Sequence, residues 1–154
     1  MAKITTDYLP NDIPAIKITL PGLDEEYLAM IDSGSAVTLY DQKITDMILH
    51  ETNSACEMEV TGICGTNNSA GEWITSVVTA KDIDGKDAYL KLAGATYDMS
   101  GINSYYSENY SIAADFAMLI GSDALSSIGA KIDYENKWLV IDEKEGNKQS
   151  EAEG

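Results

Sequence analysis

The chain has 154 residues, 44% of them apolar, and a formal net charge of −16. That length supports one domain with a sizeable apolar core. So acidic a surface repels nucleic-acid phosphates and anionic lipid, so neither is an expected partner.

Taken in chain order, residues 1–7 lack the apolar stretch of a secretion signal. No apolar run later approaches the ~20 residues that span a bilayer. A cytoplasmic, reducing setting is therefore expected, with Cys56 and Cys64 as free thiols. Residues 15–20, Ala-Ile-Lys-Ile-Thr-Leu, alternate in the manner of a half-buried strand. Pro21-Gly22 then marks a turn. Residues 27–31 are apolar and read as a buried strand that delivers Asp32 to its end. Residues 37–40 suggest a further strand. Asp41 could cap a helix over 42–50 with Ile44, Met47 and Ile48 on one face.

Residues 57–60 and 73–78 flank a segment rich in Gly, Asn and Ser, which predicts a long hairpin. Asp84-Gly85 reads as a two-residue turn between strands at 77–83 and 88–92. Residues 98–115 are polar, with several Tyr and Ser, and read as an inserted loop. Residues 117–121 form a second buried strand ending in glycine, followed by a short helix over 123–128 with Gly129 as its stop. Residues 131–134 and 138–141 make a closing hairpin. Residues 143–154 are charged and polar without an apolar period, which predicts a disordered acidic tail. Many short strands and little helix give an all-β class, a barrel or a sandwich.

One segment carries chemistry. In Ala29-Met30-Ile31-Asp32-Ser33-Gly34-Ser35, a carboxylate directly follows a buried apolar strand, a costly position unless it is hydrogen-bonded or paired. Gly34 permits tight backbone geometry, and Ser33 supplies a hydroxyl. Taken alone, the tripeptide also fits an ordinary surface turn. Three further segments change its meaning: Gly62-Ile63-Cys64-Gly65, Leu119-Ile120-Gly121-Ser122-Asp123-Ala124-Leu125 and Ile128-Gly129-Ala130-Lys131-Ile132-Asp133-Tyr134.

With these in this order, the sequence resembles the retropepsin family of aspartic proteases, above all its small stand-alone cellular members, over about residues 13–142. The resemblance implies an all-β closed barrel with a flap hairpin and one or two short helices, acting as a homodimer. It implies a protease domain over 1–142. Asp32 looks like the catalytic aspartate, supplied once by each chain. Ser33 looks like the hydroxyl that braces the catalytic turn against its counterpart in the partner, and Gly34 like the glycine whose carbonyl approaches substrate. Ser35, Gly62, Ile63, Cys64, Gly65 and Ile120 look like substrate-contacting positions. Asp123 looks like a structural cap or brace, and not a second catalyst.

The implied activity is peptide-bond hydrolysis by a water between two carboxylates, acting on an extended peptide or protein. It requires no metal and no cofactor, and two cysteines with the single histidine His50 do not make a zinc site. Viral members pair an arginine just after the apolar-apolar-glycine motif with an acid after the catalytic turn. Here Ser122 and Val37 occupy those regions, and all ten basic residues are lysine. A non-catalytic dimerisation or peptide-binding module on the same fold is the alternative reading.

Overall fold

The computed structural model describes residues 1–48, 50–62, 65–111 and 115–142, with backbone only for 53–62 and 65–71. Ten strands and three short helices build it. Strand β1 (Ala2–Thr5) runs antiparallel to β10 (Trp138–Ile141), which in turn pairs with β9 (Ala130–Asp133). The remaining strands close a ring. In order around it come β2 (Ala15–Thr19), β3 (Glu26–Ile31), β8 (Phe116–Ile120), β4 (Leu39–Asp41), β7 (Asp87–Tyr97) and β6 (Gly65–Lys81). The Thr19–Thr79 pairing joins β6 back to β2, so the six strands form a closed barrel. Strand β5 (Glu51–Gly62) extends from β6 as a long antiparallel hairpin with an irregularity between Thr52 and Ser54. This architecture agrees with the expected fold class.

The β2–β3 hairpin forms as its alternation predicts, with Ala15 opposite Met30 and Thr19 opposite Glu26. The turn between them follows from Pro21-Gly22. Proline presets φ at the second turn position, Gly22 takes φ +87°, and Leu23 N–H closes onto the Leu20 carbonyl at 3.1 Å. The β6–β7 connection differs from the expected two-residue turn. Asp82 and Lys86 close a three-residue loop, with Gly85 in the left-handed region at φ +83°. The Asp82 carboxylate explains the longer loop, because it accepts the N–H groups of both Asp84 and Lys86 at 2.9 Å.

Two other expectations are corrected. The helix over 42–50 is a single turn, α1 (Gln42–Thr45), and Met47 is 56% exposed. The Thr45 hydroxyl bonds back to the Asp41 carbonyl at 2.8 Å, and Met47 and Ile48 close i→i+3 bonds that tighten the chain out of the α-helix. Residues 98–115 are not simply a loop, for Ser100–Tyr110 forms helix α2. Its Ser, Gly, Asn and Tyr content is poor for a helix, so packing decides the matter. Ile102 and Tyr106, four residues apart, are buried on one side, and Tyr106 packs on Phe116 with ring centroids 5.2 Å apart. The N-terminal residues, unassigned from sequence, form strand β1.

Two apolar clusters hold the fold. The barrel interior gathers Ile16, Ile18, Ile31, Tyr40, Ile74, Leu92, Met118 and Ile120. The opposite face of β3, β4, β7 and β8 presents Leu28, Met30, Leu39 and Leu119, which pack with Met99, Ile102 and Tyr106 of the α2 segment. Helix α3 (Ser122–Ile128) ends at Gly129, whose φ of +67° lets its N–H reach back to the last carbonyls. Among the described residues no helix is long and apolar enough to cross a membrane.

Candidate catalytic turn

Strands β3 and β8 lie parallel at the heart of the barrel, with Ile31 opposite Ile120. Parallel strands are covered on both faces, and here all five residues of β8 are buried. The chain leaves β3 at Asp32, whose N–H still donates to the Ile120 carbonyl at 2.9 Å. A tight turn follows. Ser35 N–H closes onto the Asp32 carbonyl at 3.1 Å, and Gly34 N–H donates to Asp32 Oδ1 at 3.0 Å. The carboxyl is half-buried and held through one oxygen, and Oδ2 receives no hydrogen bond from the described residues. A Cβ on Gly34 would lie 3.3 Å from Asp32 Oδ1, tight enough to disturb that grip.

The rest of the turn is stitched to the junction of β8 and α3. Ser35 Oγ donates to the Val37 carbonyl at 2.8 Å, and the Ser35 carbonyl accepts Ser122 N–H at 2.7 Å. Thr38 is fully buried, accepts Gly121 N–H at 3.0 Å and donates to Asp123 Oδ1 at 2.7 Å. Gly121 is required here by close approach, since an added Cβ would sit 2.6 Å from the Val37 carbonyl oxygen and 2.8 Å from that of Ser35. Asp123 Oδ1 also accepts Ala124 N–H at 2.7 Å, so this carboxylate is a brace at the start of α3.

The sequence-derived site residues fall into three groups. Asp32, Ser33, Gly34 and Ser35 form one turn, with Ser33 and Gly34 exposed. The Ser33 hydroxyl has no hydrogen-bond partner among the described residues. Gly62 and Gly65 face each other across the β5–β6 hairpin, while Ile63 and Cys64 lie outside the described residues. Ile120, expected to touch substrate, has a side chain 0% exposed inside the barrel. Its contribution within this chain comes through its carbonyl, because the parity of β8 turns the side chain inward. Thr38 belongs to none of the sequence motifs. Its only sequence signal is a β-branched hydroxyl residue between the turn and an apolar strand.

A second buried carboxyl lies nearby in sequence. Asp41 ends β4 at the helix-cap position, yet its side chain makes no cap bond to α1. Its Oδ1 instead accepts Met99 N–H at 3.2 Å. Burial pushes this carboxyl above the usual carboxylate range, against the lowering effect of the Met99 N–H bond and of the nearby Ile44 N–H. Burial likewise holds the Tyr40 phenol well above its ordinary value while its hydroxyl donates to the Leu92 carbonyl at 2.7 Å. Among the described residues no three His, Cys, Asp or Glu side chains are gathered as a metal site would need.

No protein-family model matches the sequence, and no curated protein matches it significantly. Among solved structures, the chain is similar to the retroviral protease-like domain of Ddi1 from Leishmania major. That match has 16% identity over 84% of this chain and 86% of that one, with a TM-score of 0.48. It is also similar to the EIAV protease complexed with the inhibitor HBY-793, with 16% identity over 82% of this chain and 97% of that one, and a TM-score of 0.43.

Proposed function

We propose that the protein is an aspartic endopeptidase that works as a symmetric homodimer, with Asp32 of each copy beside the two-fold axis. The observation that carries this reading is the Asp32–Gly34 turn at the end of the buried β3–β8 pair. It holds one carboxyl oxygen and leaves the other open. One chain contributes a single such turn, and a closed two-fold assembly supplies the second. The exposed Ser33 hydroxyl is free to bond across that axis.

Two facing carboxyls cannot both ionise cheaply, so they share a proton and titrate as a pair. The ionised member accepts a proton from the water held between them. The water oxygen bonds to the scissile carbonyl carbon, while the protonated member donates to the carbonyl oxygen. Collapse of the resulting diol breaks the C–N bond, and the amine leaves with a proton. The substrate is an extended peptide that adds strand-like hydrogen bonds beneath the β5–β6 hairpin. Activity is expected on the mildly acidic side, where the pair retains one proton.

The test is cleavage of a peptide mixture together with sedimentation of the intact protein and Asp32→Asn. The reading expects a dimer in both and cleavage only by the intact protein. Peptide binding without turnover would instead support a non-catalytic module on this fold, which the departures at Val37 and Ser122 allow. Cleavage that persists in Asp32→Asn would remove Asp32 from the chemistry.

A further inference from the structure

The turn that carries Asp32 is short and exposed at Ser33 and Gly34; between its two anchored ends the Ser35 carbonyl also accepts Ser122 N–H. One end is the Asp32 N–H bond to Ile120. The other is Thr38, whose carbonyl accepts Ala95 N–H from β7 at 2.9 Å. The side chain at this second anchor is 0% exposed and has both hydrogen-bonding roles of its hydroxyl in use. It accepts Gly121 N–H and donates to Asp123 Oδ1, across separations of 83 and 85 residues. A hydroxyl has one proton to give, so its direction is fixed by the carboxylate, and its lone pairs are aimed at the amide. Bonds to a charged acceptor are the stronger kind.

We propose that Thr38 is the positioning residue of the catalytic turn. By coupling Asp123 to the Gly121 amide it fixes how far the Asp32 carboxyl stands out from the barrel. The proposal deepens the protease reading and rests on it for its effect on catalysis. The geometry supplies the link. Gly121 packs closely on 35–37, leaving no room for a Cβ beside the Val37 and Ser35 carbonyl oxygens, so a shift of its amide presses on that segment. Ser35 is the residue whose N–H closes the turn onto Asp32. Removing the hydroxyl leaves Gly121 N–H buried without a partner, and the segment must shift to find one. Displacing a reacting group by about 1 Å costs on the order of 100-fold in rate.

The experiment compares Thr38→Val, Thr38→Ser and Asp123→Ala with the parent protein. Asp123 is exposed, so its replacement keeps the proposal open to test even where Thr38→Val fails to fold. Two readouts are taken. The first is NMR, following the Gly34 and Gly121 amides and the titration of the Asp32 carboxyl carbon. The second is peptide cleavage, resolved into kcat and KM. For Thr38→Val and Asp123→Ala, the expected result is displaced Gly34 and Gly121 amides, a moved Asp32 titration, and a kcat fall of about 100-fold with KM near its starting value. Thr38→Ser, which keeps the hydroxyl, should restore both. A folded variant lacking the bond, with the Asp32 titration and the Gly34 amide unmoved, overturns the proposal. Absence of cleavage by the parent protein would count against the protease reading alone, because the NMR comparison still decides what Thr38 does.

Discussion

The Asn103 carboxamide clamps the backbone of Phe116, with Oδ1 accepting its N–H at 2.7 Å and Nδ2 reaching its carbonyl at 3.5 Å. This pair ties helix α2 to the first residue of the strand that runs beside β3. Asn103→Ala should leave the Phe116 amide unsatisfied in a fully buried position and cost about 1–3 kcal/mol. Asn103→Asp keeps an acceptor and should cost less. Urea unfolding measures the difference. Amide exchange at Phe116 should accelerate in the alanine variant, and an unchanged exchange rate would mean the clamp is not what holds α2.

Asp41 gives a prediction about pH. Its folded carboxyl lies above the ordinary value, so the ionised form is disfavoured in the native state. Below the unfolded value of about 3.9 the group is protonated in both states and has no effect. As pH rises past it, the unfolded chain releases the proton first, and stability is lost until the native carboxyl has also ionised. Asp41→Asn keeps an oxygen for Met99 N–H and removes the charge. The variant should therefore be at least as stable as the parent at pH 7, with the advantage fading below about pH 4. Thermal unfolding from pH 3 to 8 checks this. A variant less stable at pH 7 and equal at pH 3 would reverse the sign and refute it.

Two glycines should respond differently to alanine. At Gly121 the new Cβ meets the Val37 carbonyl oxygen at 2.6 Å, and the three nearest atoms there are all backbone. Such overpacking should cost about 3 kcal/mol or more and disorder the Asp32–Ser35 turn. At Gly85 nothing lies within 4 Å, and the penalty comes only from its φ of +83°. That is worth about 1–2 kcal/mol and should leave the Asp32 turn undisturbed. Equal losses at the two sites, read by urea midpoints, would contradict the close approach at Gly121.

Much of this was legible in the sequence where local pattern and burial agree. The β2–β3 hairpin follows from alternation plus Pro21-Gly22, and β8 from an unbroken apolar run at the protein's centre. The turn at Asp32–Ser35 was readable because a charged residue directly after a buried strand has few structural reasons to be there. Helix α2 was hidden because its residues have weak helix propensity, and only the burial of Ile102 and Tyr106 against distant strands makes a helix the better state. Asp41 looked like a helix cap, but the Met99 amide, 58 residues away, claims its carboxylate. Thr38 was hidden for the same reason, since its two partners, Gly121 and Asp123, lie 83 and 85 residues further along the chain.

The most direct measurement is cleavage of a peptide library by the purified protein between pH 4 and 7, beside Asp32→Ala. The account predicts cuts made by the intact protein alone, strongest on the acidic side. Cuts made equally by both proteins, or none by either while both are folded and dimeric, would contradict it.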